Sequence, residues 1–243
     1  MSLPRSRQSG NDWLALAVAV LYPTVLTLGY FEFLAGTVWQ YLVYTPGKVL
    51  QFALPLLYMY VFLGWRPSRP ERVSASELAL GLSSGVAVAL AAWLLYAEIL
   101  VPLGVLAEPA ARIAAQIDRF GLASVGVFAL TAVFYATVHS GLEEYYWRWF
   151  VFGRASALCA RPGVAILLAS VAFAAHHVVV LGVFFGYTSA WTWILASCIA
   201  IGGAFWCFLY LKFGRLWSAW LSHAIVDAAI FTIGFDIAFR SAA

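Results

Sequence analysis

Residues 163–185 read GVAILLASVAFAAHHVVVLGVFF. These 23 residues contain no Asp, Glu, Lys or Arg. As a helix rising ~1.5 Å per residue, the stretch is about 34 Å long, enough to cross the ~30 Å hydrocarbon core of a bilayer. It is too long and too uniformly apolar for a barrel strand, which alternates polar and apolar residues over ~10 positions. Runs of the same kind lie at 13–34, 42–64, 75–101, 122–152, 189–211 and 216–237.

The whole chain repeats the message of that segment. Of 243 residues, 64% are hydrophobic and 10% charged, with a mean hydropathy of +0.89. A soluble domain is roughly 45–50% apolar and ~25% charged, so this chain lacks the polar residues to cover a water-facing surface. The same shortage excludes a disordered tail, and a net charge of only +3 excludes a nucleic-acid module. The expected fold is all-α: a polytopic bundle of about seven or eight membrane helices, forming one integral membrane domain over 1–243. Cys159, Cys198 and Cys207 form no CxxC pair, so neither a disulfide framework nor a zinc ribbon is expected. The 11 Trp and 12 Tyr suit interfacial belts or a cavity lining.

Charge placement orients the bundle. With the N-terminus inside, the inner loops 1–12, 65–74, 153–162 and 212–215 hold Arg5 and Arg7, then Arg66, Arg69 and Arg72, then Arg154 and Arg161, then Lys212 and Arg215. The outer side keeps Lys48, Arg112, Arg119 and Arg240. Every inner loop is thus positive. The first run is long for a leader and reads as a signal anchor. The segment 103–121, with Glu108, Pro109, Arg112, Gln116, Asp118 and Arg119, is either a short amphipathic helix at the outer interface or a connecting loop with one helical turn. It closes an N-terminal part (13–121) ahead of a second part (122–237) that contains the polar clusters.

Ionisable residues inside a bilayer cost ~2.5–3.5 kcal/mol each on insertion scales and mark function by default. Glu143, Glu144 and Arg148 lie in the fourth run, His176 and His177 in the fifth, His223 and Asp227 in the seventh. Glu144 and Arg148 are four apart, with Glu first, the favoured order for a helical ion pair. Glu143 is turned ~100° from Glu144 and faces something else. A buried carboxylate of that kind suits a general base. His223 and Asp227 also share a helix face, so the carboxylate can fix the imidazole's tautomer. By helical rise, Glu143, His177 and His223 lie at similar depths, between mid-bilayer and the inner half. They are expected to converge on one cavity open to the inner side. His139, four residues before Glu143, is a candidate for a supporting contact, and His176 for helix packing.

The ordered set Glu143-Glu144-x-x-x-Arg148, Phe173-x-x-x-His177 and His223-x-x-x-Asp227 resembles the motifs of the CAAX protease and bacteriocin-processing family, which includes the type II CAAX prenyl endopeptidases. The resemblance covers 122–237 and implies a glutamic-type intramembrane endopeptidase acting on a membrane-associated protein or peptide in the cell membrane. It implies that Glu143 with His177 activates water, that Glu144 and Arg148 hold the site in shape, and that His223 and the residue four later stabilise the oxyanion. Phe173 is a packing position. In the prenyl endopeptidases the last motif usually ends in Asn, whereas this chain has Asp227. An ionised Asp cannot donate to an oxyanion, so Asp227 is expected to orient His223 instead.

No cofactor is expected on this reading. Zinc held by Glu143, His177 and His223 with water in the fourth position is the chemical alternative. A transporter using the buried charges as a relay, or a non-catalytic immunity-type protein, are readings from other classes. No inverted repeat or pair of broken helices favours transport. No Gly-x-Ser-x-Gly or His-Glu-x-x-His motif supports a serine or zincin-like protease. The lipid bilayer is the expected partner, with no nucleic acid.

Overall fold

The computed structural model describes residues 10–66 and 72–240. Arg5, Arg7 and Arg69 lie outside the described residues. Within them all regular structure is helical. Helix α1 covers Gly10–Leu28, with a π-helical continuation over Gly29–Phe33, and α2 covers Trp39–Leu57, continued over Tyr58–Phe62. Helix α3 covers Ala75–Leu95, continued over Tyr96–Leu100, and α4 covers Ala107–Arg119. The long helix α5 runs over Val125–Leu158. Helices α6 (Pro162–Phe185), α7 (Ala190–Phe213) and α8 (Trp217–Phe235, continued over Asp236–Arg240) complete the chain.

Among the described residues, six helices are long and apolar enough to cross a membrane: Asn11–Phe33, Ala75–Leu100, Val125–Leu158, Pro162–Phe185, Ala190–Phe213 and Trp217–Phe239. The expected count of seven or eight is therefore approximate. Helix α2 occupies the second apolar run but carries Lys48, Gln40 and Gln51 and is not one of the six. The segment 103–121 contains a 13-residue helix, α4, rather than a loop with a single turn.

Local signals set the helix ends. Ser74 caps α3 by accepting from the Glu77 backbone N–H at 3.2 Å, the Ser-x-x-Glu pattern of a capping box. Pro162 opens α6, where its missing N–H costs nothing. Gly214, at φ 66°, ends α7 in the left-handed conformation that glycine tolerates, and its N–H bonds the Tyr210 carbonyl at 2.8 Å.

The chain forms two compact units, one within 1–72 and 144–216, the other within 73–143 and 217–243. Helix α5 contributes its residues up to Glu143 to one and those from Glu144 to the other.

In the unit containing α1, α2, α6 and α7, Leu14, Val18, Leu21 and Val25 are exposed along one side of α1 while Asp12, Leu16 and Ala19 are buried. That is the pattern of a helix with one face to lipid and one to protein. Sequence reading placed Arg154 in an inner loop. The structure corrects this, because Arg154 sits inside α5 with its side chain 1% exposed, and its Nη2 lies 3.0 Å from Asp12 Oδ1. Tyr58 donates to the same carboxylate oxygen. A carboxylate this close draws the cation out of water and into the fold. Two tyrosines of α5 fix its neighbours. Tyr146 donates to the Ala19 carbonyl at 2.7 Å, and Tyr145 to the Phe52 carbonyl at 3.1 Å. In the α6–α7 loop, Tyr187 donates to Glu32 at 2.6 Å. Burial, then that hydrogen bond and the carboxylate's charge, push the phenol up to about 12, so it remains a donor through the neutral range.

In the other unit, α3 and α8 cross at small residues. A Cβ on Gly81 would lie 2.7 Å from the Ser218 carbonyl oxygen and 2.9 Å from its Cα. One on Gly85 would lie 3.0 Å from Ser222 Cα and 2.9 Å from Ile225 Cδ1. Close backbone approach of this sort is how membrane helices gain packing where burial supplies no drive. Ser84 bonds Ser222 across the contact at 3.2 Å, and Tyr96 donates to Asp236 at 2.7 Å. Phe128 of α5 packs its ring at 5.8, 5.9 and 5.5 Å from Phe231, Phe235 and Phe239.

Two outcomes follow from this packing. Gly81→Ala should lower the thermal midpoint in detergent, at a cost of roughly 1–3 kcal/mol from overpacking against backbone. Gly202→Ala, with nothing within 4 Å of its Cβ, should not. Arg154→Ala should cost about 3–5 kcal/mol by stranding the Asp12 carboxylate. The Asp12→Ala, Arg154→Ala double variant should recover part of that loss in the same melting assay.

Candidate active site

The residues singled out by sequence are divided between the two units. In the unit of α3 and α8, Glu143, His223 and Asp227 come together. His223 Nε2 lies 3.7 Å from Glu143 Oε2 and 3.5 Å from Asp227 Oδ1. Glu143 and His223 are 4% and 3% exposed, whereas the Asp227 side chain is 23% exposed. The four-residue step along α8 puts Asp227 one turn from His223, and α5 brings Glu143 to the same nitrogen. Carboxylates only accept, so a ring nitrogen facing two of them is the one that carries the proton. His223 is thereby held as an Nε2–H donor.

In the unit of α6 and α7, Glu144 and Arg148 form the expected pair, with Arg148 Nη1 3.0 Å from Glu144 Oε1 and both side chains buried. Arg148 is also held by two rings. Its Cζ lies 4.5 Å from the centroid of Phe173 and 4.9 Å from that of Trp206. A desolvated guanidinium between aromatic faces gains attraction from both. Gly203 of α7 makes the room, since a Cβ there would lie 3.2 Å from the Phe173 ring and 3.5 Å from Arg148 Nη2. Phe173 in turn meets the His177 ring edge-on at 4.8 Å.

The Phe173-x-x-x-His177 spacing has a second consequence. His177 Nδ1 lies 3.0 Å from the Phe173 carbonyl oxygen. That oxygen can only accept, so Nδ1 donates and Nε2 of the neutral ring keeps its lone pair. Such a nitrogen can take a proton from water or ligate a metal ion. His176 has a different setting: it stacks flat on Trp147, centroids 5.6 Å apart at 3°, and is 6% exposed. His139 packs against Tyr135 at 4.7 Å.

The glutamates occupy a short α-helical piece, Ser140–Glu144, between π-helical stretches over Tyr135–His139 and Tyr145–Phe152. Wider turns shift the register of side chains, and such insertions are frequent at functional sites. Sequence reading did not single out Trp206, Gly203 or Tyr135. Nothing in an apolar run rich in aromatics distinguishes a ring over a cation from one facing lipid.

Comparison with known proteins adds one match. Residues 123–229 match the family described as type II CAAX prenyl endopeptidase Rce1-like. No curated protein and no solved structure matches the chain. The matched stretch contains Glu143, Glu144, Arg148, His177, His223 and Asp227. With six helices fit to cross a bilayer, it supports an intramembrane CAAX protease-type hydrolase in an integral membrane protein. The motif resemblance and the matched family agree: residues 123–229 of this chain are similar to type II CAAX prenyl endopeptidase Rce1-like proteins.

Proposed function

We propose that the protein is a glutamic-type intramembrane endopeptidase of the cell membrane, hydrolysing a peptide bond of a membrane-associated protein or peptide. The observation that carries this reading is the pairing of Glu143 with His223, a buried acceptor beside an imidazole whose Nε2 donates. Hydrolysis needs both kinds of group. The Glu143 carboxylate takes a proton from water, with the Nε2 lone pair of His177 sharing in its activation, and the hydroxide adds to the scissile carbonyl carbon. The carbonyl oxygen becomes an oxyanion and accepts from His223 Nε2–H. Asp227 keeps that imidazole oriented. As the intermediate collapses, the C–N bond breaks and the proton held by Glu143 passes to the leaving amine. Glu144 and Arg148 neutralise each other and stiffen the helix that carries Glu143.

Cleavage of a prenylated CAAX peptide by the purified protein is the direct test. Glu143→Gln should lower the rate by about 10²–10⁴-fold with little change in melting, and His223→Ala should lower it by about 10²–10³-fold. Asp227→Asn, which restores the family's usual residue, should remain active within about tenfold. Because Glu143 and His177 act on one water, Glu143→Gln with His177→Ala should be little worse than the poorer single variant. A Glu143→Gln protein that still cleaves would overturn the assignment.

The lone pair left on His177 Nε2 also favours a second reading, in which Glu143, His177 and His223 hold zinc. Dialysis against 1,10-phenanthroline separates the two. Full activity, with no stoichiometric metal by elemental analysis, is expected for the glutamic mechanism. Loss of activity restored by zinc would make the three residues ligands.

A further inference from the structure

Helices α5 and α8 run side by side and antiparallel through the cluster that holds Glu143. At one end Glu143 meets His223, and two turns away Tyr135 meets Phe231, with ring centroids 5.4 Å apart. Tyr135, His139 and Glu143 follow each other at steps of four along α5, as His223, Asp227 and Phe231 do along α8. The Tyr135 ring is fixed between His139, at 4.7 Å, and Phe231. Its hydroxyl makes no hydrogen bond to another described residue. The residue is 36% exposed. A phenol at membrane depth, on the carboxylate side of its helix and lacking an acceptor, needs one from elsewhere.

A peptide substrate supplies what is missing. Each of its carbonyls needs a donor once it leaves water. Glu143 and Asp227, as carboxylates, can only accept. Eight residues of helix separate Tyr135 from Glu143, at most about 12 Å of rise and less through the π-helical turn. An extended peptide advances ~3.3 Å per residue, so that interval matches about three residues of substrate. We propose that Tyr135 is a substrate-binding residue whose hydroxyl donates to a peptide carbonyl about three residues from the scissile bond. This rests on the proteolytic reading above. It makes the stretch from Glu143 to Tyr135 a measure of how much chain the substrate must present on one side of the cut.

The experiment is Tyr135→Phe in the full chain, assayed in nanodiscs with a prenylated CAAX peptide as probe. Phe keeps the contacts with His139 and Phe231 and removes only the hydroxyl. KM should rise about tenfold while kcat stays within about twofold, the size of one neutral hydrogen bond lost from binding. In the inactive Glu143→Gln background, adding Tyr135→Phe should weaken peptide binding by the same factor. Shortening the peptide from each end in turn should erase the difference for one end, which identifies the side that reaches Tyr135. Unchanged KM and Kd, or a loss confined to kcat, would overturn the assignment. The two readings fail differently. If Glu143→Gln still cleaves, the proteolytic reading fails. If Glu143→Gln is dead but Tyr135→Phe binds like the parent, only the role of Tyr135 fails.

Discussion

A charge that leaves water must find its counter-charge within the protein, and in this chain that requirement determines where the helices meet. Glu144 has Arg148 one turn along its own helix, and Arg148 has two aromatic faces besides. Asp12 has Arg154, brought from a distant part of the sequence. Each pair costs desolvation that its attraction only partly offsets. Such pairs therefore specify the arrangement more than they stabilise it: α1 can dock on α5 in one register only, that in which carboxylate and guanidinium coincide. The glycines of α3 act in the same direction by geometry, admitting Ser218 and Ser222 of α8 where any side chain would hold them off.

The catalytic proposal uses the same economy in reverse. Glu144 is neutralised by a cation, while Glu143, its neighbour in sequence, faces the ring nitrogen of His223. A rotation of ~100° about the helix axis separates a carboxylate that shapes the site from one that can accept a proton. Tautomers are set by similarly local means. The Phe173 carbonyl accepts from Nδ1 of His177, and two carboxylates face Nε2 of His223. One imidazole is left with a lone pair and the other with a donor, the complementary states that peptide hydrolysis needs.

The class of fold was legible because hydrocarbon imposes a length and a composition on every span, and runs such as 163–185 satisfy both. The i, i+4 pairs were legible because helix geometry is fixed: Glu144 with Arg148, and His223 with Asp227, needed no tertiary information. Arg154 was misread for the reason that Glu144 and Arg148 were not. Its partner, Asp12, lies outside any helical spacing, so by local rules it resembles a topology-setting cation near a helix end. Helix α2 carries enough polar residues that apolar length alone overstated its likeness to the other spans. Gln40 shows where those polar groups go, because it is buried and bonds the Tyr30 carbonyl. The ring faces over Arg148 and the opening at Gly203 depend on which helices pack together, and pairwise spacing contains no record of that.

The Asp12–Arg154 pair also bears on how the protein is made. The two residues are 142 positions apart. At ~5–20 residues per second, the ribosome adds Arg154 roughly 7–30 seconds after Asp12. Throughout that interval the carboxylate near the start of α1 lacks its guanidinium, and the first helix cannot settle at its final depth without burying a lone charge. Insertion of α1 is thus completed only when α5 arrives. A helix made well before its partner is locked in place only with it.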